Sequence, residues 1–127
     1  MTSQTKSKPR NILIVEDEML IALDIEQMLI ELGHTIVALC SRVPAAIIAA
    51  GQEDIDFAVL DINVAGVPSF PVAQVLLSRG VPFVFLSGYG SRGLIQGFTD
   101  SLVLTKPFRL IDLQLMLESA VAIEVKT

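Results

Sequence analysis

Cysteine and histidine are nearly missing: Cys40 is the single thiol and His34 the single imidazole among 127 residues. Their scarcity excludes an intrachain disulfide, a cysteine-only zinc site, a CxxC redox pair and a multi-histidine metal centre. Charge is sparse too. Asp, Glu, Lys and Arg make up 18% of the chain and the apolar set 52%, the reverse of the balance in disordered chains. Positive charge is the scarcer sign, since nine Lys and Arg against fourteen Asp and Glu leave a net charge of −5. Such a domain repels a phosphate backbone, so no nucleic-acid partner is expected. No apolar run reaches the ~18–20 residues that span a bilayer. Residues 1–10 are polar and basic and do not read as a secretory signal. No membrane partner is expected, and a reducing cytoplasm is the expected location. Repeats and low-complexity tracts are absent as well.

What the chain does have is a core's worth of apolar residues in one domain's length, domains clustering near ~100–150 residues. Residues 1–9 read as a flexible tail, 10–125 as a single domain, and no output domain is expected after it. Short apolar runs at 11–15, 35–40, 57–60, 82–86 and 102–104 predict strands. Helical spacing predicts helices over 18–32, 44–51, 70–79 and 109–124, the first three stopped at or near Gly33, Gly51 and Gly80. Residues 88–97 carry glycines at 88, 90, 93 and 97 and predict at best a weak helix. These are five β-α units. The strands are continuously apolar, as in a parallel sheet covered on both faces. Right-handed crossovers then give a doubly wound, three-layer α/β sandwich around a five-stranded parallel sheet.

Ligands of such sheets bind beyond the carboxyl ends of the strands. The first strand is followed by Glu16 and Asp17, the third by Asp61, the fourth by Ser87 and the fifth by Lys106 and Pro107. If the first and third strands are neighbours, three carboxylates cluster. Like charges at close range disfavour joint ionisation, and a divalent cation relieves that repulsion. An all-oxygen set suits Mg²⁺. Carboxylates, magnesium, a lysine and a hydroxyl together make a site for a phosphoryl group. Each residue alone has a plainer reading: Asp17 as a helix cap, Asp61 as a turn residue, Lys106 as a solvated surface lysine. Their coincidence at four strand ends is the signal. Gly88 to Gly93 also match GxGxxG. That fingerprint belongs in the first β-α unit, with an acid ending the next strand. Here it follows the fourth strand and the acid is missing, so a mobile loop is the better reading.

With these residues placed, the chain resembles the response-regulator receiver domain of two-component signalling over residues 10–123. Glu16 and Asp17 match the family's acidic pair, Asp61 its phospho-accepting aspartate, Ser87 its Thr/Ser, and Lys106-Pro107 its Lys-Pro dipeptide, usually joined by a cis bond. The resemblance implies a flavodoxin-like strand order of 2-1-3-4-5. It implies Mg²⁺ held by Asp17, Asp61 and the main-chain carbonyl of Asn63, with Glu16 helping through water. Lys106 and Ser87 would grip the phosphoryl oxygens. Residues 82–90, PFVFLSGYG, further resemble the PFxFATGYG run of the "FAT GUY" response regulators, as do Asp61 to Val64 and Ser69 to Ala73. Members of that group are often single-domain proteins phosphorylated by HWE/HisKA2-type histidine kinases, some in general stress signalling. This chain departs from it at Leu86, where the group has Ala, and at Ser87, where it has Thr.

The function so implied is a stand-alone response regulator rather than an enzyme in the usual sense: Asp61 takes a phosphoryl group from a sensor histidine kinase and loses it by slow self-hydrolysis. The expected readout is ordering of the Gly-rich segment, with Gly88, Tyr89 and Gly90 as switch residues. Receivers at large often carry an aromatic three residues before the lysine, where Val103 stands here. Tyr89 either replaces it as the moving aromatic or simply covers the pocket. The final helix leaves Ile111, Leu115 and Ala122 on a flank away from Leu113, Met116, Leu117 and Ala120. That flank is either a partner surface, with the protein a monomer or weak dimer, or the ordinary edge of a wide core stripe. Output would pass through an unknown downstream protein. Cys40 is expected to be a small buried hydrophobe. The alternative function is a receiver-like binding module that works without phosphorylation. A phosphatase of the haloacid-dehalogenase kind needs a DxD pair and is disfavoured by Asn63.

Overall fold

The chain is described here from a computed structural model covering residues 8–88, 90–95 and 97–126. Among the described residues, seven strands and four α-helices follow in the order β1 (Asn11–Val15), α1 (Met19–Glu31), β2 (Thr35–Cys40), α2 (Val43–Gln52), β3 (Phe57–Asp61), β4 (Asn63–Val64), β5 (Val67–Pro68), α3 (Phe70–Ser78), β6 (Phe83–Ser87), β7 (Val103–Thr105) and α4 (Leu110–Lys126). β4 and β5 form a separate two-stranded hairpin. The other five strands make one sheet, all its pairs parallel, in the order β2-β1-β3-β6-β7. With the hairpin set aside this is the order 2-1-3-4-5 of the doubly wound fold that the resemblance implies.

Period-two alternation splits the strands between two cores. Leu13, Val15, Ala58, Leu60 and Phe85 face one side, where Ala46, Ala50, Val72 and Leu76 from α2 and α3 cover them. Ile12, Ile14, Phe57, Val59, Val84 and Leu86 face the other, against Ile25 and Leu29 of α1 and Leu113 and Leu117 of α4. The buried residues of α1, Ala22, Ile25 and Leu29, stand at the three- and four-residue spacing that helical periodicity predicts. The helix then closes on Gly33, whose φ of 97° lets the His34 amide reach back to Leu29 O at 3.0 Å.

Three features depart from the sequence reading. The fourth β-α unit has no α-helix among its described residues, only a 3₁₀ turn at Gly90–Gly93. Gly90 at φ 63° and Gly97 at φ 95° hold a backbone conformation that an α-helix does not use. Phe98 then pins the end of this segment onto the core, its ring 5.2 Å from Phe70 and 5.9 Å from Phe85. The last two strands each lie one residue later than expected, at Phe83–Ser87 and Val103–Thr105, where Val103, Leu104 and Thr105 register with Phe85, Leu86 and Ser87. The hairpin after β3 was not anticipated. Its turn, Ala65-Gly66, has φ of 53° and 82°, the two positive values that a tight type I′ connection requires.

Cys40 is half-buried at the end of an edge strand rather than fully enclosed. Burial and the nearby Glu53 carboxylate raise its thiol pKa, so it is not set up as a reactive thiolate. On α4, Leu113, Leu117 and Ala120 are buried while Ile111 and Leu115 are exposed, as the sequence pattern predicts. No described helix is long and apolar enough to cross a membrane.

Candidate functional site

The parallel sheet delivers its polar residues to one edge. Glu16 and Asp17 leave β1, Asp61 is the last residue of β3 and Ser87 the last of β6, while Lys106 follows β7 directly. Because β1 pairs with β3 and β3 with β6, these ends are adjacent. Carboxylate oxygens of Glu16, Asp17 and Asp61 lie within 4.8 Å of one another. Their burial differs: Glu16 is 1% exposed and Asp61 9%, while Asp17 is open to solvent. A cluster of hard oxygen donors, one of them open to solvent, fits a small divalent cation that keeps part of its hydration, as Mg²⁺ does.

Lys106 supplies the countercharge. Its Nζ donates to Glu16 Oε1 at 3.1 Å and to Asp61 Oδ2 at 3.1 Å. Glu16 also accepts the Glu18 amide through Oε2 at 3.1 Å. Burial, with the Asp61 charge beside it, pushes the Glu16 carboxyl up to about 7, against the Glu18 amide and Lys106, which favour its ionised form. Burial works against the Lys106 ammonium, but the charges and hydrogen bonds of Asp61 and Glu16 outweigh it and raise its pKa. One cation thus serves two carboxylates, and a third carboxylate stands beside them.

The remaining expected residues are arranged around this cluster. Ser87 is buried, and its main-chain carbonyl accepts the Lys106 amide at 2.8 Å. Asn63 is exposed on β4. Asp61, Asn63, Ser87 and Gly88 line a common cleft of about 360 Å³ that continues over Phe70, Leu86 and Ile95. The Lys106-Pro107 bond is cis, as the resemblance implies. Val103 packs, half-buried, against the cluster that holds Phe85 and Phe98. Gly90 opens the 3₁₀ turn. Tyr89, the expected switch or cover, lies outside the described residues.

One residue of the site was missed. Ser69 is fully buried, and its hydroxyl donates to the main-chain carbonyl of Asp61 at 2.6 Å. In sequence, a serine just before Phe-Pro reads as a helix cap, and no pattern signals a bond eight residues back.

No family model matches the chain. The chain is 30% identical over 125 residues to the transcriptional regulatory protein PdtaR of Mycobacterium tuberculosis, covering 95% of this chain and 61% of that protein. Among solved structures, the response regulator PhyR from Brucella abortus superposes with a TM-score of 0.83 at 27% identity, over 96% of this chain and 51% of that one. The solution structure of SdrG from Sphingomonas melonis Fr1 matches with a TM-score of 0.75 at 37% identity, over 94% of this chain and 98% of that one. The chain therefore spans between half and two thirds of the PdtaR and PhyR chains, and nearly all of SdrG.

Proposed function

The chain belongs to the receiver domains of response regulators, and from that premise we propose that it is a stand-alone regulator phosphorylated on Asp61 by a sensor histidine kinase. The observation that carries this reading is the buried Glu16–Asp61 pair bridged by Lys106, with Asp17 beside it. The likeness to PhyR and SdrG is consistent with a place among the FAT GUY regulators, and so with an HWE/HisKA2-type kinase and a stress-related pathway.

In this reading an oxygen of the Asp61 carboxylate forms the new bond to phosphorus as the bond from phosphorus to the kinase histidine breaks. The imidazole leaves with the bonding electron pair. Asp17, Asp61 and the Asn63 carbonyl would hold Mg²⁺, which would supply positive charge for the phosphoryl oxygens. Glu16 would support it through water, and it holds Lys106 in place through the bond to Oε1. Lys106 lies 3.1 Å from Asp61 Oδ2, close enough to follow the transferred group with a charge-assisted hydrogen bond. Ser87 offers its hydroxyl from the neighbouring strand. Such bonds contribute ~1.5–3 kcal/mol each. Two are of the order needed to bias a two-state segment, since moving a 1:99 population to 99:1 takes ~5.5 kcal/mol. The Gly-rich segment after Ser87 is that element. The phosphorylated form is then read by a downstream protein, with the regulator itself a monomer or weak dimer in the cytoplasm.

The test is transfer of label from a purified HWE/HisKA2-type kinase, or from acetyl phosphate, with and without Mg²⁺. Metal-dependent labelling of the wild type that is lost in Asp61→Asn is the expected result. No labelling from any donor would overturn this reading in favour of a phosphorylation-independent binding module.

A further inference from the structure

Serine is a preferred helix N-cap because its oxygen can accept an amide of the first turn. Ser69 occupies the N-cap position of α3 and makes no such bond. Its main-chain carbonyl still accepts the Val72 amide at 2.9 Å and the Ala73 amide at 3.3 Å, so the helix starts at this residue. The hydroxyl is turned the other way, onto the carbonyl of Asp61 at 2.6 Å. The amide of the same residue donates to the next carbonyl, that of Ile62, at 2.8 Å. Two consecutive carbonyls at the end of β3 are therefore held by one buried residue. From the sheet side, the Ile62 amide donates to Leu86 O at 3.1 Å. Between the two anchors the chain runs out and back through the hairpin, with Asn63 paired to Pro68 and Val64 to Val67.

We infer that Ser69 is a positioning residue for the site. It fixes the peptide planes on either side of Ile62, and with them the backbone from which the Asp61 side chain and the Asn63 carbonyl depart. The inference rests on the proposed role of Asp61 and Asn63 as ligands and deepens it. Asp61 is the last residue of β3, and beyond it the chain leaves the sheet. Here the hydroxyl of Ser69 holds the Asp61 carbonyl, at the cost of a conventional cap on α3. Residues that orient a metal's ligands in this way change its affinity by roughly 10–100-fold when removed.

The experiment compares wild type with Ser69→Ala, Ser69→Cys and Val72→Ala. Val72 is fully buried in the same helix, so its truncation loosens α3 without touching the link to Asp61. Two quantities are read by NMR: Mg²⁺ affinity from a titration of amide shifts, and the exchange rate of the Ile62 amide in metal-free protein. Ser69→Ala is expected to weaken Mg²⁺ binding roughly 10–100-fold and to speed Ile62 exchange. Val72→Ala is expected to lower the melting temperature with Mg²⁺ affinity kept within twofold. Equal Mg²⁺ affinity in Ser69→Ala and wild type, or an equal loss in Val72→Ala, overturns the assignment. Should Ser69→Ala fail to fold, Ser69→Cys decides: it keeps the size and weakens the donor, and an unchanged affinity overturns the inference. If wild type itself binds no Mg²⁺, the proposed function fails, and the metal-free exchange of Ile62 still decides the role of Ser69.

Discussion

The two ends of the same sheet use polar residues in opposite ways. At the amino ends of the strands, the Asn11 amide donates to Asp56 Oδ2 at 2.8 Å and the Arg10 amide to His34 Nδ1 at 3.1 Å. The Asp56 amide returns to Asn11 O at 2.7 Å and the Thr35 amide to Arg10 O at 3.0 Å. Each acceptor side chain meets one backbone N–H. At the carboxyl ends, three carboxylates converge and one ammonium reaches two of them. The comparison teaches how to tell a structural polar residue from a functional one in this fold. A residue matched to the backbone beside it closes the structure. A residue matched mainly to other side chains, as Glu16 and Asp61 are to Lys106, is the candidate for binding.

The sharpest way to break this comparison is to remove one carboxylate from each end. Asp61→Asn is expected to abolish phosphorylation and leave thermal stability unchanged or slightly raised, because it relieves the charge beside Glu16. Asp56→Ala leaves the half-buried Asn11 amide without its acceptor and is expected to cost about 1–3 kcal/mol of unfolding free energy. Its labelling by acetyl phosphate should stay within twofold of wild type. Loss of labelling in Asp56→Ala at full folding would show that the two ends are not separable.

The ends should also differ in how they respond to pH. Burial pushes Glu16 up to about 7 from 4.5. Between those values the folded, metal-free protein binds more protons than the unfolded chain, so this group makes stability fall as pH rises from about 4.5 to about 7. His34 has the opposite sign. Burial, with Arg10 nearby, lowers its pKa below the usual 6.5. The unfolded chain then binds more protons, and this group's contribution is lost as pH falls below about 6.5. Glu16→Gln should remove the first slope and His34→Asn, which retains an acceptor, the second. Denaturant unfolding in metal-free buffer from pH 5 to 8 reads both, and matching slopes in wild type and the two variants would contradict this assignment.

The smallest effect is expected in the hairpin. Ala65 holds a φ of 53°, a region that costs an L-residue roughly 1–2 kcal/mol. Ala65→Gly relieves that strain and loosens the unfolded chain, for a net gain of roughly 0.5 kcal/mol in a denaturation midpoint.

Much of this was legible in the sequence, for physical reasons. A sheet covered on both faces forces uninterrupted apolar strands such as Ile12 to Val15, and a doubly wound fold forces polar residues onto the strand ends. Glu16, Asp61, Ser87 and Lys106 could therefore be picked out one by one. The hairpin was not legible: two strands of two residues each carry no period, and Ala65-Gly66 lacks the Asn-Gly signature of a tight turn. The last strand slipped by one because Leu102 and Val103 are equally apolar, and pairing with Phe85 rather than hydropathy decides where it starts. Ser69 was hidden because its local context is that of a cap.

Lys106 lies 90 residues from Glu16 and 45 from Asp61 along the chain. The cation and the carboxylates meet only after β7 has docked on β6, and β6 on β3. A chain whose carboxyl-terminal third has come loose keeps its acids but loses the lysine that balances them. On the proposed reading, phosphorylation competence is thereby made conditional on the integrity of the whole domain.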